Sequence, residues 1–419
     1  MDSLHKIRVC KKCLYTEKHP LGITFNDDGI CSGCQVHEEK DNLDWDHQWH
    51  LLAESIRPYR SRDRSSYDCI IPVTGGADSY FIVHIAKECL GLNPLLVTYN
   101  RIFNTPLGIR NLQNLKASFD CDLLIHTVNP ETVKRLTRVT LRRFGSMYWP
   151  VLAGQSAFAV QTAVRYQIPL IIWGAHQGTE QVGMFSHTHL VEMTRRYRHD
   201  HDLMGYEADD LLNDMDCIAE ADIWQYRYPC DTDIDSLGVR GIYLSNFIRW
   251  DPKAQHESMI ERYGYKTCSF SRTFDTYDHV DCFNYMNIHD YLKYMKHGYS
   301  KVTDHACREI RHGRLSRMDG LALVDYYENQ PMEYSDLFCE WLGIHPDSLG
   351  FICDQFRSPE IWKRHISGEW TSRLCTYRAD KQEVSPLSVN NVDISFCSNS
   401  DILYEREKSY ITIGRGYPF

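Results

Sequence analysis

The stretch Asp68-Cys-Ile-Ile-Pro-Val-Thr-Gly-Gly-Ala-Asp-Ser79 joins a short apolar run directly to a pair of glycines. The run up to Val73 has the length and composition of a buried strand. After Ser79, apolar residues recur at helical spacing until Gly91, which fits the end of a helix. The stretch therefore predicts a strand, a tight turn at residues 74–79 and a helix in immediate succession.

The same alternation continues to about residue 180. Short apolar runs predict strands, and apolar residues at helical spacing predict the helices between them. Such alternation packs as a parallel sheet with helices on both faces, so the expected fold is α/β and doubly wound. The predicted elements are strands at 68–73, 95–99, 123–127 and 170–173, and helices at 107–119, 131–144 and 153–167.

Composition divides the 419 residues into four segments. Residues 1–50 contain two pairs of cysteines and read as a small zinc ribbon. Residues 66–250 hold the predicted sheet, with its last part, 181–250, reading as polar loops. Residues 251–345 read as a helical region, and residues 346–419 form a C-terminal extension to which the sequence assigns no role.

Bulk properties restrict the class of protein. The hydrophobic fraction of 43% indicates a globular chain with a real core. No apolar run approaches the roughly 18 residues of a membrane span, and the first thirteen residues lack the apolar core of a secretory signal. We therefore expect a cytoplasmic protein with reduced cysteines. The net charge of −10 disfavours non-specific binding to nucleic acid.

The turn at residues 74–79 has the features of an anion site. Gly75 and Gly76 allow the backbone to approach a phosphate closely, and the start of the following helix offers free N–H groups and a positive dipole end. Ser79 can add a hydroxyl donor, whereas Asp78 fits such a site when Mg²⁺ lies between it and the phosphates. The alternative is an ordinary glycine turn with an Asp-Ser helix cap.

A second polar loop follows the predicted strand at 170–173. It reads Gly174-Ala-His-Gln-Gly-Thr-Glu180, and it would lie on the same edge of the sheet as residues 74–79. Gly174 permits close backbone approach, while His176 and Gln177 could face a phosphate or a substrate. The alternative is a polar loop without a ligand. Thr98 and Tyr99 end the second strand at this same edge.

The four N-terminal cysteines form two Cys-x-x-Cys pairs, Cys10 with Cys13 and Cys31 with Cys34, separated by seventeen residues. Two such knuckles at this distance are typical of a closed tetrahedral Zn²⁺ site with four thiolate ligands. Such a metal is structural, because no position is open to a substrate. An iron–sulfur cluster is the main alternative, and free cysteines are another.

Residues 74–79 resemble the phosphate loop of the PP-loop ATP pyrophosphatase superfamily, whose usual form is Ser-Gly-Gly-x-Asp-Ser. Thr74 replaces the first serine and keeps its hydroxyl. The resemblance implies that ATP, with Mg²⁺, is cut between its α- and β-phosphates. The candidate catalytic residues are Asp78 and Ser79 of this loop, together with His176 of the second polar loop. The implied nucleotide-binding residues are Thr74, Gly75, Gly76, Asp78, Ser79, Thr98, Tyr99 and Gly174.

From residue 238 onward, a series of motifs resembles the bacterial N-acetyl sugar amidotransferases. The series includes Gly238-Val-Arg-Gly-Ile-Tyr-Leu-Ser-Asn-Phe247, Tyr263-Gly-Tyr265 and His289-Asp-Tyr-Leu-Lys-Tyr-Met-Lys-His-Gly-Tyr299. With the cysteines and the loop, the resemblance covers residues 8–345. It implies that the acetamido oxygen of an N-acetyl sugar is adenylylated and replaced by nitrogen, giving an acetamidino sugar, AMP and pyrophosphate. It also implies surface glycans, such as lipopolysaccharide or pseudaminic acid glycans, and a separate glutaminase subunit that supplies ammonia.

Candidate substrate contacts are polar residues in the second loop and in the 289–317 region. Lys293 and Lys296 are three residues apart and share a helix face, as a sugar phosphate or carboxylate would require. The alternative is a solvated helix face. Asp251 and Asp281 could hold a metal or orient ammonia, or they could be ordinary caps. The candidate substrate residues are Gln177, His289, Lys293, Lys296, Arg308 and Arg311.

Two other functions fit parts of the sequence. A zinc ribbon before a PP-loop domain also occurs in tRNA-modifying sulfurtransferases, which need a basic surface for RNA. A non-catalytic nucleotide-binding scaffold is the other, although Gly75, Gly76, Asp78 and Ser79 are all intact. A continuous basic face would favour the RNA enzyme, and an enclosed pocket would favour the sugar enzyme. Release of AMP and pyrophosphate would exclude the scaffold.

Overall fold

A five-stranded parallel sheet forms the centre of the molecule. The computed structural model describes residues 7–61, 63, 65–212, 218–374, 389 and 392–400. The strand order is β3-β2-β1-β4-β5, with every neighbouring pair parallel. The strands are β1 (Cys69–Pro72), β2 (Pro94–Tyr99), β3 (Asp122–His126), β4 (Leu170–Trp173) and β5 (Arg240–Tyr243).

Helices lie before, between and after the strands. Three π-helical segments, Ile85–Cys89, Arg198–Asp202 and Tyr285–His289, adjoin regular helices. Shorter 3-10 turns are Arg57–Tyr59, Ala208–Leu211, Trp224–Tyr226 and Leu244–Asn246. The α-helices are α1 (Ser32–Glu39), α2 (Trp45–Ile56), α3 (Ala77–His84), α4 (Pro106–Ser118), α5 (Pro130–Phe144), α6 (Trp149–Tyr166), α7 (Gln177–Val182), α8 (Arg195–Tyr197), α9 (Glu220–Ile223), α10 (Asp231–Leu237), α11 (Pro252–Tyr263), α12 (Asp290–His297), α13 (Lys301–Arg311), α14 (Arg317–Glu328), α15 (Ser335–Leu342) and α16 (Pro346–Gln355).

The expected α/β fold is confirmed, because apolar side chains project from both faces of the sheet and pack against helices. Along β1, Cys69 and Ile71 join one hydrophobic cluster with helices α3 and α4, whereas Ile70 joins another with α6. Successive side chains of a strand point to opposite faces, so a strand covered on both sides is apolar throughout. Each strand predicted from the sequence is present within one or two residues of its expected bounds.

Strand β5 (Arg240–Tyr243) corrects the expectation that residues 181–250 are polar loops. It pairs in parallel with β4, with Ile171 opposite Gly241 and Ile172 opposite Ile242. The strand is four residues long and contains Gly241, which lowers its strand signal. Because β5 is the last strand in the order, it needs only one main partner.

The helical C-terminal region has its own hydrophobic cluster. Met286, Leu292 and Phe338 share this cluster with Leu349 and Trp362, so packing is continuous across the predicted boundary at residue 345. The antiparallel pair β6 (Trp362–Arg364) and β7 (Trp370–Ser372) closes this part of the chain. The predicted extension 346–419 is thus partly integrated, and much of it lies outside the described residues.

The N-terminal segment packs against this helical region. Cys10, Cys13 and Leu14 share a hydrophobic cluster with Val302 and Cys307 of α13. None of the helices in the described parts of the chain has the length and hydropathy that a membrane span requires.

Candidate active site

The turn after β1 has the geometry of an anion-binding loop. Gly75 has φ +85°, and a Cβ there would lie 2.8 Å from the carbonyl oxygen of Gly108. Only glycine meets both conditions without strain. Gly76 is the N-cap of α3, so the free N–H groups of that helix start directly at the turn. The backbone therefore offers an anion the positive end of a helix.

Two hydroxyl groups hold this turn in shape. The Thr74 N–H donates to the Ser79 Oγ at 3.0 Å, and the Gly76 N–H donates to the Thr74 Oγ1 at 3.1 Å. A hydroxyl that accepts a bond still has its own proton to donate. The hydroxyl of Thr74 thus helps to order the turn. The side chains of Thr74 and Ser79 both retain a donor for a phosphate oxygen.

Asp78 forms an ion pair that the sequence did not predict. Its Oδ1 lies 2.8 Å from Nε2 of His256 on α11, and half of the Asp78 side chain is exposed. Burial alone would lower the pKa of His256, but the hydrogen bond and the charge of Asp78 outweigh it and raise that pKa. Asp78 is therefore fixed at the turn with part of its carboxylate accessible, as a Mg²⁺ ligand would need.

Thr98 and Tyr99 are buried at the end of β2. The Tyr99 hydroxyl lies 2.9 Å from that of Tyr226, and its ring packs where a Cβ on Gly154 would fall. Their side chains belong to the core, so a nucleotide contact here would come from the backbone. Gly174 is also tightly placed, because a Cβ there would lie 3.0 Å from Ile82.

A cavity of about 450 Å³ opens at the carboxyl ends of the strands. Thr74 lines it after β1, Gly174 after β4 and Tyr243 at the end of β5. Ligands of open parallel sheets bind at this edge. Two π-helical segments also contribute to the lining, with Arg198 in one and Tyr285 in the other. Insertions of this kind occur frequently at functional sites.

The charge of the lining favours an anionic ligand. Lys293 and Lys301 both approach Asp304, at 2.5 and 3.4 Å. Burial disfavours the charged form of both lysines, and it lowers the pKa of Lys293. At Lys301 the neighbouring Tyr285 and Asp304 outweigh burial, so the pKa of Lys301 is raised. Two further cations, Arg101 and Arg198, also line the cavity. In total, five lysines and arginines face two carboxylates in this lining.

Lys296 differs from the other lysines. Its Nζ donates to the backbone carbonyls of Phe144 and Gly145, at 3.2 and 3.4 Å. Burial lowers its pKa to about 8. His289 lines the cavity between the rings of Tyr148 and Tyr285, and burial together with the nearby lysines holds its pKa well below the usual range. The structure therefore brings His289, Lys293 and Lys296 together in one cavity lining, and their role as substrate contacts remains a prediction.

Some residues of the second loop, 174–180, line the cavity, and others lie in the protein core. Gln177 lines the cavity, whereas His176 is buried and caps α7, its Nδ1 accepting from the Thr179 N–H at 3.1 Å. Burial lowers the pKa of His176 to about 4. The rings of Tyr197 and Tyr243 pack against it. The observed contacts of His176 are structural, and its predicted catalytic role remains a prediction.

Arg308 and Arg311 lie away from the cavity lining, which corrects their grouping with the lysines. Arg308 pairs with Asp275 at 2.5 Å, and Arg311 contacts the cysteines. Lys301 at the start of α13 lines the cavity, but each residue advances the helix by about 1.5 Å, so Arg311 lies roughly 15 Å further along the axis. Their place in the 289–317 region of the sequence gave no signal of this distance.

The two candidate aspartates have different surroundings. Asp251 caps α11 and pairs with Arg314 at 2.7 and 3.0 Å, which accounts for it as a structural residue. Asp281 is buried, pairs with Arg101, and lies near the turn, since a Cβ on Gly76 would be 3.6 Å from its Oδ1. Asp281 thus connects the C-terminal region to the anion loop.

The four cysteines converge into one buried cluster. Their sulfurs all lie within 4.8 Å of one another, with Cys10 and Cys34 at 3.9 Å and Cys13 and Cys31 at 3.6 Å. Tetrahedral Zn²⁺ with Zn–S bonds of about 2.3 Å requires S–S separations near 3.8 Å. The donor set and its size therefore fit zinc, and they also fit an iron ion with four thiolates.

Part of this site had no signal in the sequence. Arg101 and Lys301 lie far apart along the chain, and neither belongs to a motif. His256 stands in an ordinary amphipathic helix, and only the fold places it beside Asp78. The candidate residues found from sequence were those in contiguous motifs, whereas their partners come from remote segments.

Comparison with known proteins gives one family match and one curated relative. Residues 257–374 match the family described as "LPS biosynthesis protein WbpG-like, C-terminal domain". An uncharacterized protein of Methanocaldococcus jannaschii is 26% identical over 117 residues. That alignment covers 28% of this chain and 41% of the relative's length.

Two solved structures resemble part of the chain. The NMN synthetase from Francisella tularensis has 14% sequence identity and a TM-score of 0.27, covering 47% of this chain and 82% of that one. The NH3-dependent NAD synthetase from Campylobacter jejuni has 12% identity and a TM-score of 0.28, covering 46% and 92%.

Proposed function

We propose that this protein is an ATP-dependent amidotransferase of the PP-loop type that converts the acetamido group of an N-acetyl sugar into an acetamidino group. The observation that carries the proposal is the anion loop at residues 74–79, which opens onto a cavity lined by lysines of the 257–374 region. The name of the matched family supports a place in lipopolysaccharide or related surface glycan biosynthesis.

The proposed reaction has two steps. First, the acetamido oxygen attacks the α-phosphorus of ATP, forming a P–O bond while the bond to pyrophosphate breaks. Second, ammonia attacks the activated carbon, the C–O bond breaks with AMP as leaving group, and the nitrogen loses its extra proton. Catalysis of this kind depends on positioning and on neutralising phosphate charge.

Residues of the anion loop would act on the leaving pyrophosphate. The backbone N–H groups at the start of α3 and the hydroxyls of Thr74 and Ser79 can donate to its oxygens. Asp78 would hold the Mg²⁺, which neutralises phosphate charge when bound. These roles explain why the loop combines glycines, hydroxyls and one carboxylate.

The opposite side of the cavity would bind the sugar. Lys293, Lys296 and Lys301 suit a phosphate or carboxylate on the substrate, because charged hydrogen bonds to such groups are strong. Gln177 and His289 offer neutral polar contacts to hydroxyl and acetamido groups. Ammonia would come from a separate glutaminase subunit, and the reaction would take place in the cytoplasm, where ATP is available and thiolates stay reduced.

The test is incubation of candidate N-acetyl sugars with the protein, ATP, Mg²⁺ and ammonium, followed by mass spectrometry. The proposal expects AMP and pyrophosphate together with a sugar whose mass falls by about one unit, since oxygen is replaced by NH. ATP consumption without a change in any of the sugars, or formation of ADP, would contradict it.

A tRNA-modifying sulfurtransferase is the second candidate, favoured by the four-cysteine cluster that precedes the sheet. The residues lining the described cavity include five cations but no cysteine that could carry sulfur. Binding of labelled tRNA at physiological salt would favour this candidate, and unchanged tRNA mobility would favour the sugar enzyme.

A further inference from the structure

We propose that the four-cysteine module (residues 7–39) forms part of the cavity wall, and that Arg311 is the positioning residue that ties its four cysteines to helix α7. The inference deepens the proposed function, and it rests on that function only where a KM for the sugar is measured. The sequence instead predicted a zinc-ribbon-like segment at residues 1–50 with a purely structural metal, and a substrate contact at Arg311.

Arg311 joins the cysteines to the second loop of the cavity. Its Nε lies 3.5 Å from the Cys34 Sγ, and its Nη2 lies 3.7 Å from Cys31 and 3.8 Å from Cys13. Its Nη1 donates to the carbonyls of Glu180 and Gln181 at 2.9 and 2.8 Å. One buried guanidinium therefore contacts three cysteine sulfurs and the last turn of α7.

Helix α7 is short, and it carries Gln177 and Gln181 into the cavity lining. The module also packs directly on its end. The Ser32 hydroxyl donates to the Val182 carbonyl at 2.5 Å, and a Cβ on Gly183 would lie 2.4 Å from the Ser32 carbonyl oxygen. A helix of six residues has little stability of its own, so these contacts set its position.

A second connection runs from the first knuckle to the lysines. The Tyr15 hydroxyl donates to the Asp304 Oδ1 at 2.8 Å, and the other oxygen of Asp304 pairs with Lys293. His19, between the two knuckles, stacks on Tyr299 and lines the cavity itself, as do the two residues after it. The module thus reaches the cavity through α7, through Asp304 and directly.

The charges explain why arginine occupies position 311. Four thiolates around a divalent metal leave a net charge of about −2, and a buried guanidinium neutralises part of it. Arginine also donates from a planar fork, which lets one side chain reach both the sulfurs and the carbonyls. Lysine keeps the charge but has no such fork, so Arg311→Lys separates the two properties.

The experiment measures hydrogen exchange at Gln177–Val182 and zinc content in the full chain, without turnover. For Arg311→Lys we expect about tenfold faster exchange in α7 with zinc still near one per chain, since charge-assisted bonds to two carbonyls are lost. The matched control is Arg138→Lys, whose guanidinium donates to the Leu342 carbonyl away from the cavity. Exchange in α7 equal to that of wild type and control would overturn the proposal.

Tyr15→Phe gives a second test, because Arg311→Lys could release the metal. It removes one hydroxyl, and we expect unchanged zinc, an unchanged KM for ATP and a KM for the sugar raised about threefold to tenfold. Tyr67→Phe is its control, since the Tyr67 hydroxyl donates to Asp122 at 2.7 Å far from the site. Equal effects on both KM values, or none, would contradict the proposal. The exchange and zinc data remain decisive even where no sugar is converted, so they fail independently of the proposed reaction.

Discussion

The two sides of the cavity are built in different ways. The side beside the sheet includes the anion loop, which offers backbone N–H groups and two short hydroxyls from one contiguous stretch, residues 74–79. The opposite side consists of long charged side chains, with Lys293 and Lys301 held by Asp304 and Lys296 held by carbonyls. The first depends on backbone geometry, and the second depends on charge and on support from remote segments.

This difference indicates what each side can bind. Backbone donors at a helix start recognise a phosphate of fixed shape, and their charge does not change with pH. A side-chain wall can be altered without disturbing the sheet, so it can determine which anionic sugar enters. Substitutions on the sheet side should therefore affect the chemistry with ATP, and those on the lysine side should affect the sugar.

The largest effect is expected from Asp78→Ala. Loss of the carboxylate that would hold Mg²⁺ should lower AMP formation at least about a hundredfold, as removal of a charge-stabilising group does. Circular dichroism should show that the fold is retained. The control Asp251→Ala removes a helix cap and should affect stability more than AMP formation. Wild-type turnover by Asp78→Ala would refute the role assigned to this residue.

Loss of the metal should come next. Cys10→Ser combined with Cys13→Ser removes two of the four ligands and should release the metal, measured by atomic absorption. The free energy of unfolding should fall by about 3 to 4 kcal/mol. This is the stabilisation that zinc binding gives the folded state when free zinc exceeds its Kd by about a hundredfold to a thousandfold. The control Cys89→Ser changes an exposed thiol outside the cluster. Unchanged zinc stoichiometry in the double variant would overturn the assignment.

Gly75→Ala tests the geometry of the sheet side. A Cβ there meets the Gly108 carbonyl in a left-handed backbone, so we expect weaker ATP binding and a loss of about 2 to 4 kcal/mol in unfolding free energy. Gly91→Ala is the matched control, because Gly91 also has a positive φ but no atom within 4 Å of its Cβ. Equal losses in both variants would show that backbone strain alone is responsible.

Lys296→Met tests the lysine side. We expect the KM for an anionic sugar to rise about tenfold to a hundredfold, with little change in the KM for ATP. Since the pKa of Lys296 is about 8, its charge is lost as pH rises through that value, and the wild-type KM for the sugar should rise in parallel. Lys296→Arg should abolish this pH dependence because arginine stays charged. A KM that is constant from pH 7 to 9 would contradict the assignment.

The smallest effect concerns the Asp78–His256 pair. The pKa of His256 is raised in the folded state, so its contribution to stability is fully present below the unfolded pKa and is lost as pH rises through the folded one. His256→Gln should therefore lower unfolding free energy by about 1 kcal/mol at acidic pH and less at alkaline pH. Urea denaturation across this range measures the difference, and a larger loss at high pH would show the opposite linkage.

The sequence predicted the two sides of the cavity unequally, for a physical reason. The strand, the glycines and the helix start at residues 69–79 are contiguous, so local rules identify them together. Lys301 reaches the cavity only because the chain folds back, whereas Arg101 follows β2 directly but belongs to no motif. Strand β5 was missed because it is short, lies at an edge and contains Gly241. Arg311 was selected because it belongs to the 289–317 region, although α13 carries it well past the cavity.

The most direct measurement of the proposed chemistry uses a substrate sugar with ¹⁸O in its acetamido group. If that oxygen attacks the α-phosphorus, the label moves to AMP, whose mass rises by about two units while the sugar gains nitrogen. We predict one labelled AMP for each acetamidino sugar formed. Unlabelled AMP in ordinary water, or ADP in its place, would contradict the account.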